Sequence, residues 1–312
     1  MKKLHLTAEQ REKVIAVSIV MLGFTVLLGQ VIETRSILFR DVLAVFRMYI
    51  DPIQYMIGML VINFILVLAA IKKYKQYPNP FLDTIKWYFA ILLVNDFVVL
   101  VLRVLQNSNL LALKASLNVG MGKTYMILAT VRGLTDLTFT SIATLLLVYG
   151  LIRYLPYGQV AGGALPRLGR IMLGLVVGQW LFSIPVNLTF FISSRFIYGL
   201  ALGLSQAGQI TVVALLYWTV KENHLKYHTR FFRYLTNYYT LALAATGLVF
   251  TYSMGSFDVL QRFPAGETGV IGGFGELVFY ISRLAYVIQN YLMFWAITDY
   301  AELPRDENNP GD

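Results

Sequence analysis

Apolar positions in this chain gather into blocks of about twenty residues, the length a helix needs to cross ~30 Å of hydrocarbon at ~1.5 Å rise per residue. Polar positions within the blocks recur at three- and four-residue spacing, which is helical and not strand-like. The blocks predict eight spans, at residues 14–32, 52–71, 87–105, 134–152, 171–192, 196–220, 237–254 and 277–297. Most connections between them are too short to fold independently. The fold class expected is an all-α integral membrane protein, a bundle of about eight transmembrane helices forming one domain over residues 1–298.

Segments between the blocks carry their own patterns. Residues 36–51 place Ser36, Arg40, Arg47 and Asp51 on one helical face and Ile37, Leu38, Val42, Val45 and Phe46 largely on another. That predicts an amphipathic helix lying in the interface after the first span. Residues 106–133 open on the turn-forming "QNSN" and continue into a mildly amphipathic stretch expected to cap one face of the bundle. Residues 256–276 are Gly-rich and predict a flexible loop. Residues 299–312 hold five acids, one base and two prolines, and read as a solvated, disordered acidic tail.

Composition agrees with the pattern. Hydrophobic residues make up 57% of the chain and charged ones only 14%, against roughly a quarter charged in a soluble domain. The net charge of +9 does not call for nucleic acid, because its distribution follows the loops. With the N-terminus cytoplasmic, Lys and Arg number four before the first span, four in 72–86, three in 153–170 and four in 221–233. The opposite face carries three in 33–51, four in 103–132, then Arg195 and Arg262. That bias predicts both termini in the cytoplasm, which in a bacterium would make this an inner-membrane protein. Trp87, Trp218 and Trp295 fall at the same predicted ends, where amphipathic rings favour the interface. Anionic lipid headgroups are the expected partners of the basic loops. Segments 33–51 and 106–133 and the acidic tail are the candidate surfaces for a protein partner.

Several chemistries are excluded by missing residues. Cysteine is absent, which removes thiol catalysis and thiolate metal sites. His5, His224 and His228 all fall outside the spans, so neither haem ligation, a histidine zinc site nor a serine–histidine dyad can form within the bundle. "GMGKT" at residues 120–124 lacks the first glycine and the preceding strand of a phosphate-binding loop. Asn95 and Asp96 begin an N-D-x-x-D string, but residue 99 is Val, so the second carboxylate needed to hold magnesium and diphosphate is missing. No cofactor is expected.

What remains is a set of polar residues inside the spans. A mid-membrane aspartate costs about 2.5–3.5 kcal/mol on insertion scales and demands a partner or a wet cavity. Asp96 is such a residue. Arg103 lies on the same helix face ~10 Å further along, too far to pair with it and able to snorkel outward. The eighth span offers a polar stripe of Tyr280, Ser282, Arg283, Tyr286, Gln289 and Asn290, from which Arg283 is the expected partner of Asp96. Beside Arg283, Asp96 would stay ionised; without a cation it would be suited to carry a proton. Asp136, Thr140 and Thr144 form a shorter stripe, with Arg132 one turn away as a local partner for Asp136. Gln209 joins Ser205, Gln206 and Thr211 on the sixth span, and Gly199, Gly203 and Ala207 there match Gly174 and Gly178 on the fifth as faces for close packing. Pro185 is placed to interrupt the fifth span. Residues 133–149 and 203–219 align weakly as a repeated hairpin.

These residues suit transport of a small polar or anionic solute or of protons. They suit equally a non-catalytic sensor or a membrane subunit of a larger complex, and less well an intramembrane lipid-modifying enzyme.

Overall fold

The fold was analysed in a computed structural model that describes residues 7–35, 40–78, 80–115, 123–153, 164–188, 195–262 and 269–300. Among these residues there are eight α-helices and no strands. They are α1 (Ala8–Arg35), α2 (Arg40–Gln76), α3 (Pro80–Ala115), α4 (Lys123–Arg153), α5 (Ala164–Asn187), α6 (Arg195–Tyr227), α7 (Arg230–Arg262) and α8 (Gly269–Thr298). Five stretches are long and apolar enough to cross a membrane: Met56–Gln76, Phe81–Ser108, Lys123–Leu151, Gly169–Asn187 and Ile197–Leu225. Several such helices in one chain make a polytopic, membrane-embedded bundle.

Local chemistry sets the helix ends. Thr7 and Gln10 form a reciprocal capping box, Gln10 N–H donating to Thr7 Oγ1 at 3.2 Å and Thr7 N–H to Gln10 Oε1 at 2.9 Å. Pro80 stands at the first position of α3, where a missing N–H costs nothing. Only two residues separate α6 from α7. His228 takes the left-handed conformation, φ 49°, and donates its N–H to the His224 carbonyl at 2.9 Å, which closes α6. Thr229 then accepts from the Phe232 N–H at 3.4 Å as the cap of α7.

Each helix packs on its neighbours in sequence, and α8 returns to pack on α1 and α2, so the eight close into a ring. The contact of α3 with α4 is the most extensive. One end of the ring is identified by two groupings. Glu12 of α1, Lys72 of α2 and Thr298 of α8 line a common cavity, and Phe81 of α3 stacks against Tyr300 at 5.8 Å while meeting Phe231 of α7 edge-on at 5.9 Å. Lys72, Lys73, Lys75, Lys86 and Lys221 all belong to this end, and so do Thr7 and Tyr300. We refer to it as the lysine-rich end.

Burial is uneven along the bundle axis. The apolar core consists almost entirely of residues in the lysine-rich half: Ile62, Leu66 and Ala70 of α2, Phe81 to Phe89 of α3, Leu147 to Leu151 of α4, Phe231 to Tyr239 of α7, and Met293 to Ile297 of α8. Around the middle, full burial is lost on two helices. No residue from Val131 to Ile142 on α4, and none from Leu241 to Phe250 on α7, is fully buried. Both stretches exceed two helical turns, so these helices are accessible on more than one face.

Four sequence-based expectations are corrected. Residues 40–51 continue without a break into α2, so they are not a separate interfacial helix; residues 36–39 lie outside the described residues. "QNSN" does not turn but stays inside α3, where Ser108 Oγ donates back to the Val104 carbonyl at 2.9 Å and so keeps its polarity within the helix. Much of the Gly-rich stretch is helical, as the end of α7 and the start of α8. Tyr300, assigned above to the tail, is 3% exposed in the aromatic cluster; residues 301–312 lie outside the described residues.

The arrangement predicts sidedness. In this cysteine-free chain, single variants Lys75→Cys and Lys123→Cys should react with a membrane-impermeant maleimide from opposite faces of the membrane, because only α3 lies between them. Labelling of both from one face would contradict the crossing of α3.

Candidate functional site

Asp96 stands 15 residues from Phe81 and 12 from Ser108, halfway along the apolar stretch of α3. Its partner is on α2. Asn63 Nδ2 donates to Asp96 Oδ2 at 2.6 Å, and Asn63 itself is 2% exposed. The preceding residue makes the matching contact on the other side: Asn95, 3% exposed, donates from Nδ2 to Asp136 Oδ1 of α4 at 2.7 Å. Two adjacent residues of α3 therefore join three helices. Asn63, Asp96 and Asp136 each lie 13–15 residues from the lysine-rich end of their stretches at Gln76, Phe81 and Leu151. At ~1.5 Å per residue that is one level, ~20 Å in.

An amide that donates to a carboxylate must turn its carbonyl oxygen elsewhere. Both of these oxygens, Oδ1 of Asn63 and Oδ1 of Asn95, are buried and lack a hydrogen-bond partner among the described residues. Such acceptors are costly in a low-dielectric interior unless a donor reaches them. Further from the lysine-rich end the layer turns cationic. Arg132 of α4 lies within electrostatic reach of Asp136, Arg103 and Tyr125. Arg103 Nη1 donates to Gln106 Oε1 at 3.4 Å, while its Nε is buried without a hydrogen-bond partner among the described residues. Gln106 and Asn107 are buried beside it, at 1% and 3% exposure. Arg103 thus does not simply snorkel; part of its guanidinium is held inside the bundle. Asp136, by contrast, is exposed at mid-span.

A second polar seam continues through α4, α5 and α6. Trp180 Nε1 donates to Thr138 Oγ1 at 3.3 Å, and the hydroxyls of Ser183 and Ser205 share a short hydrogen bond. Gly133 lies against the Asn187 side chain so closely that a Cβ there would collide with Asn187 Oδ1. A larger residue there would have to displace the Asn187 amide, which is held by its bond to the Ser183 carbonyl.

The sequence-predicted residues are distributed as follows. Asp96 and Asp136 come together in the α2–α4 layer, whereas Arg103 lies further along α3, within electrostatic reach of Arg132. Arg283 is not the hydrogen-bond donor to Asp96: it stands on α8, which packs on α7, α1 and α2, and among the described residues Asp96 belongs to none of the ion pairs. Arg132 is near Asp136, but the bond to that carboxylate comes from Asn95. Tyr286 of α8 belongs instead to a phenol cluster with Tyr88, Tyr238 and Tyr239. Gln289 and Asn290 are buried, Asn290 Nδ2 donating to the Tyr286 carbonyl of its own helix at 3.0 Å. The Tyr280 side chain lies outside the described residues. Gln209 is half-buried on α6, which packs on α5 and α7 and not on the layer. Thr140 and Thr144 donate to carbonyls one turn back, at 2.6 and 2.8 Å, so their stripe is satisfied within α4.

The α5–α6 contact is also corrected. A Cβ added at Gly174 or Gly178 would meet nothing within 4 Å; the close approach is at Gly208, where a Cβ would lie 3.4 Å from Gln179 Cβ. Pro185 sits in the last turn of α5 and does not interrupt it. Asn63 and Asn95 are the residues missed as partners. Their only signal was an amide within an apolar run.

Two stability predictions follow from the bonds. In a double-mutant cycle on Asn63→Leu and Asp96→Leu, the coupling energy in unfolding from detergent or bicelles should be about 1 kcal/mol; a value near zero would mean that the bond contributes nothing. Gly133→Ala should destabilise the bundle by about 1–3 kcal/mol through overpacking, and Asn187→Ala in the same chain should recover most of that.

No protein-family model, curated protein or solved structure matches this chain.

Proposed function

We propose that this protein transports a small anionic or polar solute across the membrane, coupled to proton transfer at Asp96. One observation carries the reading: the carboxylate layer lies past the apolar core of the lysine-rich half, at a level where α4 and α7 carry no fully buried residue. On the lysine-rich side the ring is closed by apolar packing and by aromatic contacts between Phe81, Phe231 and Tyr300. Around the layer α4, from Val131 to Ile142, and α7, from Leu241 to Phe250, carry no fully buried residue. A membrane protein closed at one end, with polar groups and less buried helices at its midplane, fits one state of an alternating-access carrier.

The layer's chemistry supports the same reading. Asn63 orients the Asp96 carboxylate without neutralising it, so a proton can be taken up or lost with little repacking. The orphaned oxygens of Asn63 and Asn95 call for donors, which water or a polar solute supplies. Arg132 and Arg103 place positive charge on the access side of the carboxylates and attract an anion.

The exposed carboxylate of Asp136 favours a second reading, a membrane subunit or sensor. A carboxylate turned to hydrocarbon at mid-span is expensive, and another polypeptide covering α4 would relieve that cost. The unpartnered face of Gly174 and Gly178 suits the same role.

Proteoliposomes loaded with pyranine separate the two. Under an imposed pH gradient with a panel of small external anions, the wild type should acidify the lumen faster than empty liposomes with at least one anion. Asp96→Asn should cut that rate by about tenfold or more, and Arg132→Gln should weaken its dependence on anion concentration. A wild-type rate equal to that of empty liposomes with every anion, together with loss of a co-purifying protein in Asp136→Leu, would establish the subunit reading instead.

A further inference from the structure

Away from the carboxylate layer, at the lysine-rich end, a cavity of about 390 Å³ lies between α1, α2 and α8. Its volume falls within the ~300–1,000 Å³ of small-molecule sites. The walls are apolar: Ile15 of α1, Ile65, Leu68 and Ala69 of α2, and Phe294 of α8. Leu68 is 50% and Ile15 37% exposed, as are Val14 and Val17 nearby on α1, so the cavity opens onto the apolar outer surface of the bundle. Lysines crown it. Lys72 pairs with Glu12 at 3.1 Å, and Lys73 Nζ donates to the carbonyl of Thr298 at 2.6 Å, leaving two of its three N–H groups unused by that bond. Gln76 and Ser18 complete the polar part of the lining.

We propose that this cavity binds one anionic amphiphile, its acyl chain along the wall formed by Ile15, Leu68, Ala69 and Phe294 and its anionic group held by Lys72 and Lys73. The graded lining supports this occupant. A neutral or cationic headgroup would gain nothing from the two lysines, and a soluble anion would gain nothing from the apolar wall. Among the described residues, the lining holds two lysines, Lys72 and Lys73, against one carboxylate, Glu12, and is net positive; Asp299, outside the lining, lies within electrostatic reach of Lys73, Arg230 and Arg233. Each cation near an anionic headgroup contributes about 1 kcal/mol, so a charged lipid is selected over a zwitterionic one. Gly23 allows the wall to form, because α1 approaches α8 there so closely that a Cβ would collide with Val287. The site is independent of the transport reading, since it shares no residue with the α2–α4 layer.

Two sources share this chemistry, a phospholipid with an anionic headgroup and a free fatty acid, and the experiment distinguishes them. Native mass spectrometry of the whole chain from a neutral detergent would use dioleoyl phosphatidylglycerol as the probe, with dioleoyl phosphatidylcholine, oleate and inorganic phosphate as comparisons. One phosphatidylglycerol should bind per chain at least about tenfold more tightly than phosphatidylcholine. The double variant Lys72→Gln/Lys73→Gln should lose about tenfold in that affinity. Ser18→Phe, an exposed position on the cavity wall, should block binding while leaving the thermal midpoint and monodispersity of the protein unchanged. Displacement by oleate at lower concentration than by phosphatidylglycerol would support the site and assign its ligand to a free fatty acid. Equal binding of phosphatidylglycerol and phosphatidylcholine, displacement by inorganic phosphate alone, or unaltered binding in a folded Ser18→Phe would overturn the proposal.

Discussion

A carboxylate halfway across a bilayer has to be met by a hydrogen-bond donor, and the contact between Asn63 and Asp96 is where this bundle meets that requirement. The donor is an amide on a neighbouring helix, so satisfying Asp96 brings α2 against α3 at a fixed depth. Asn95, next in sequence, does the same for Asp136 and draws α4 onto the opposite flank of α3. Lipid supplies no hydrophobic drive for helices to associate, so such pairings and close packing must specify which faces meet. The two most extensive contacts of α3 are with the helices it joins by these bonds.

The bonds also mark a change in character along the bundle axis. Towards the lysine-rich end, side chains interdigitate in a conventional core, with Phe232, Phe294 and Leu66 almost wholly enclosed. Towards the other end, the residues buried among those described include the polar Gln106, Asn107 and Thr130, and around the layer itself α4 and α7 carry no fully buried residue. Apolar packing on one side gives the carboxylate layer a defined floor, and the layer itself sits among less buried stretches of α4 and α7. The mechanism proposed for Asp96 depends on that asymmetry more than on any single residue.

Much of this was legible in the chain. Helical blocks, their length and the need of Asp96 and Asp136 for partners follow from the cost of polarity in hydrocarbon, which any sequence reveals. The identity of the partners does not. Arg283 stood out because it carries charge, whereas Asn63 is one amide in the apolar run "MLVINFILVL" and costs too little to draw notice. Helix ends failed for a related reason. In water, "QNSN" and the glycines after residue 268 favour turns because solvent competes for the backbone; in a membrane setting backbone groups must be satisfied internally, and Ser and Asn side chains bond back to their own helix. The small-residue faces on α5 and α6 were visible as spacing, but the same spacing fits several partners. Only the fold selects Gly208 over Gly174 and Gly178.

The most direct test of the account is a crosslink across the layer. Because the native chain has no cysteine, the paired variants Asn63→Cys/Asp96→Cys and Asp96→Cys/Arg283→Cys can be oxidised in membranes without background. The account predicts an intramolecular disulfide in the first pair and none in the second. A disulfide between residues 96 and 283, with none between 63 and 96, would contradict it.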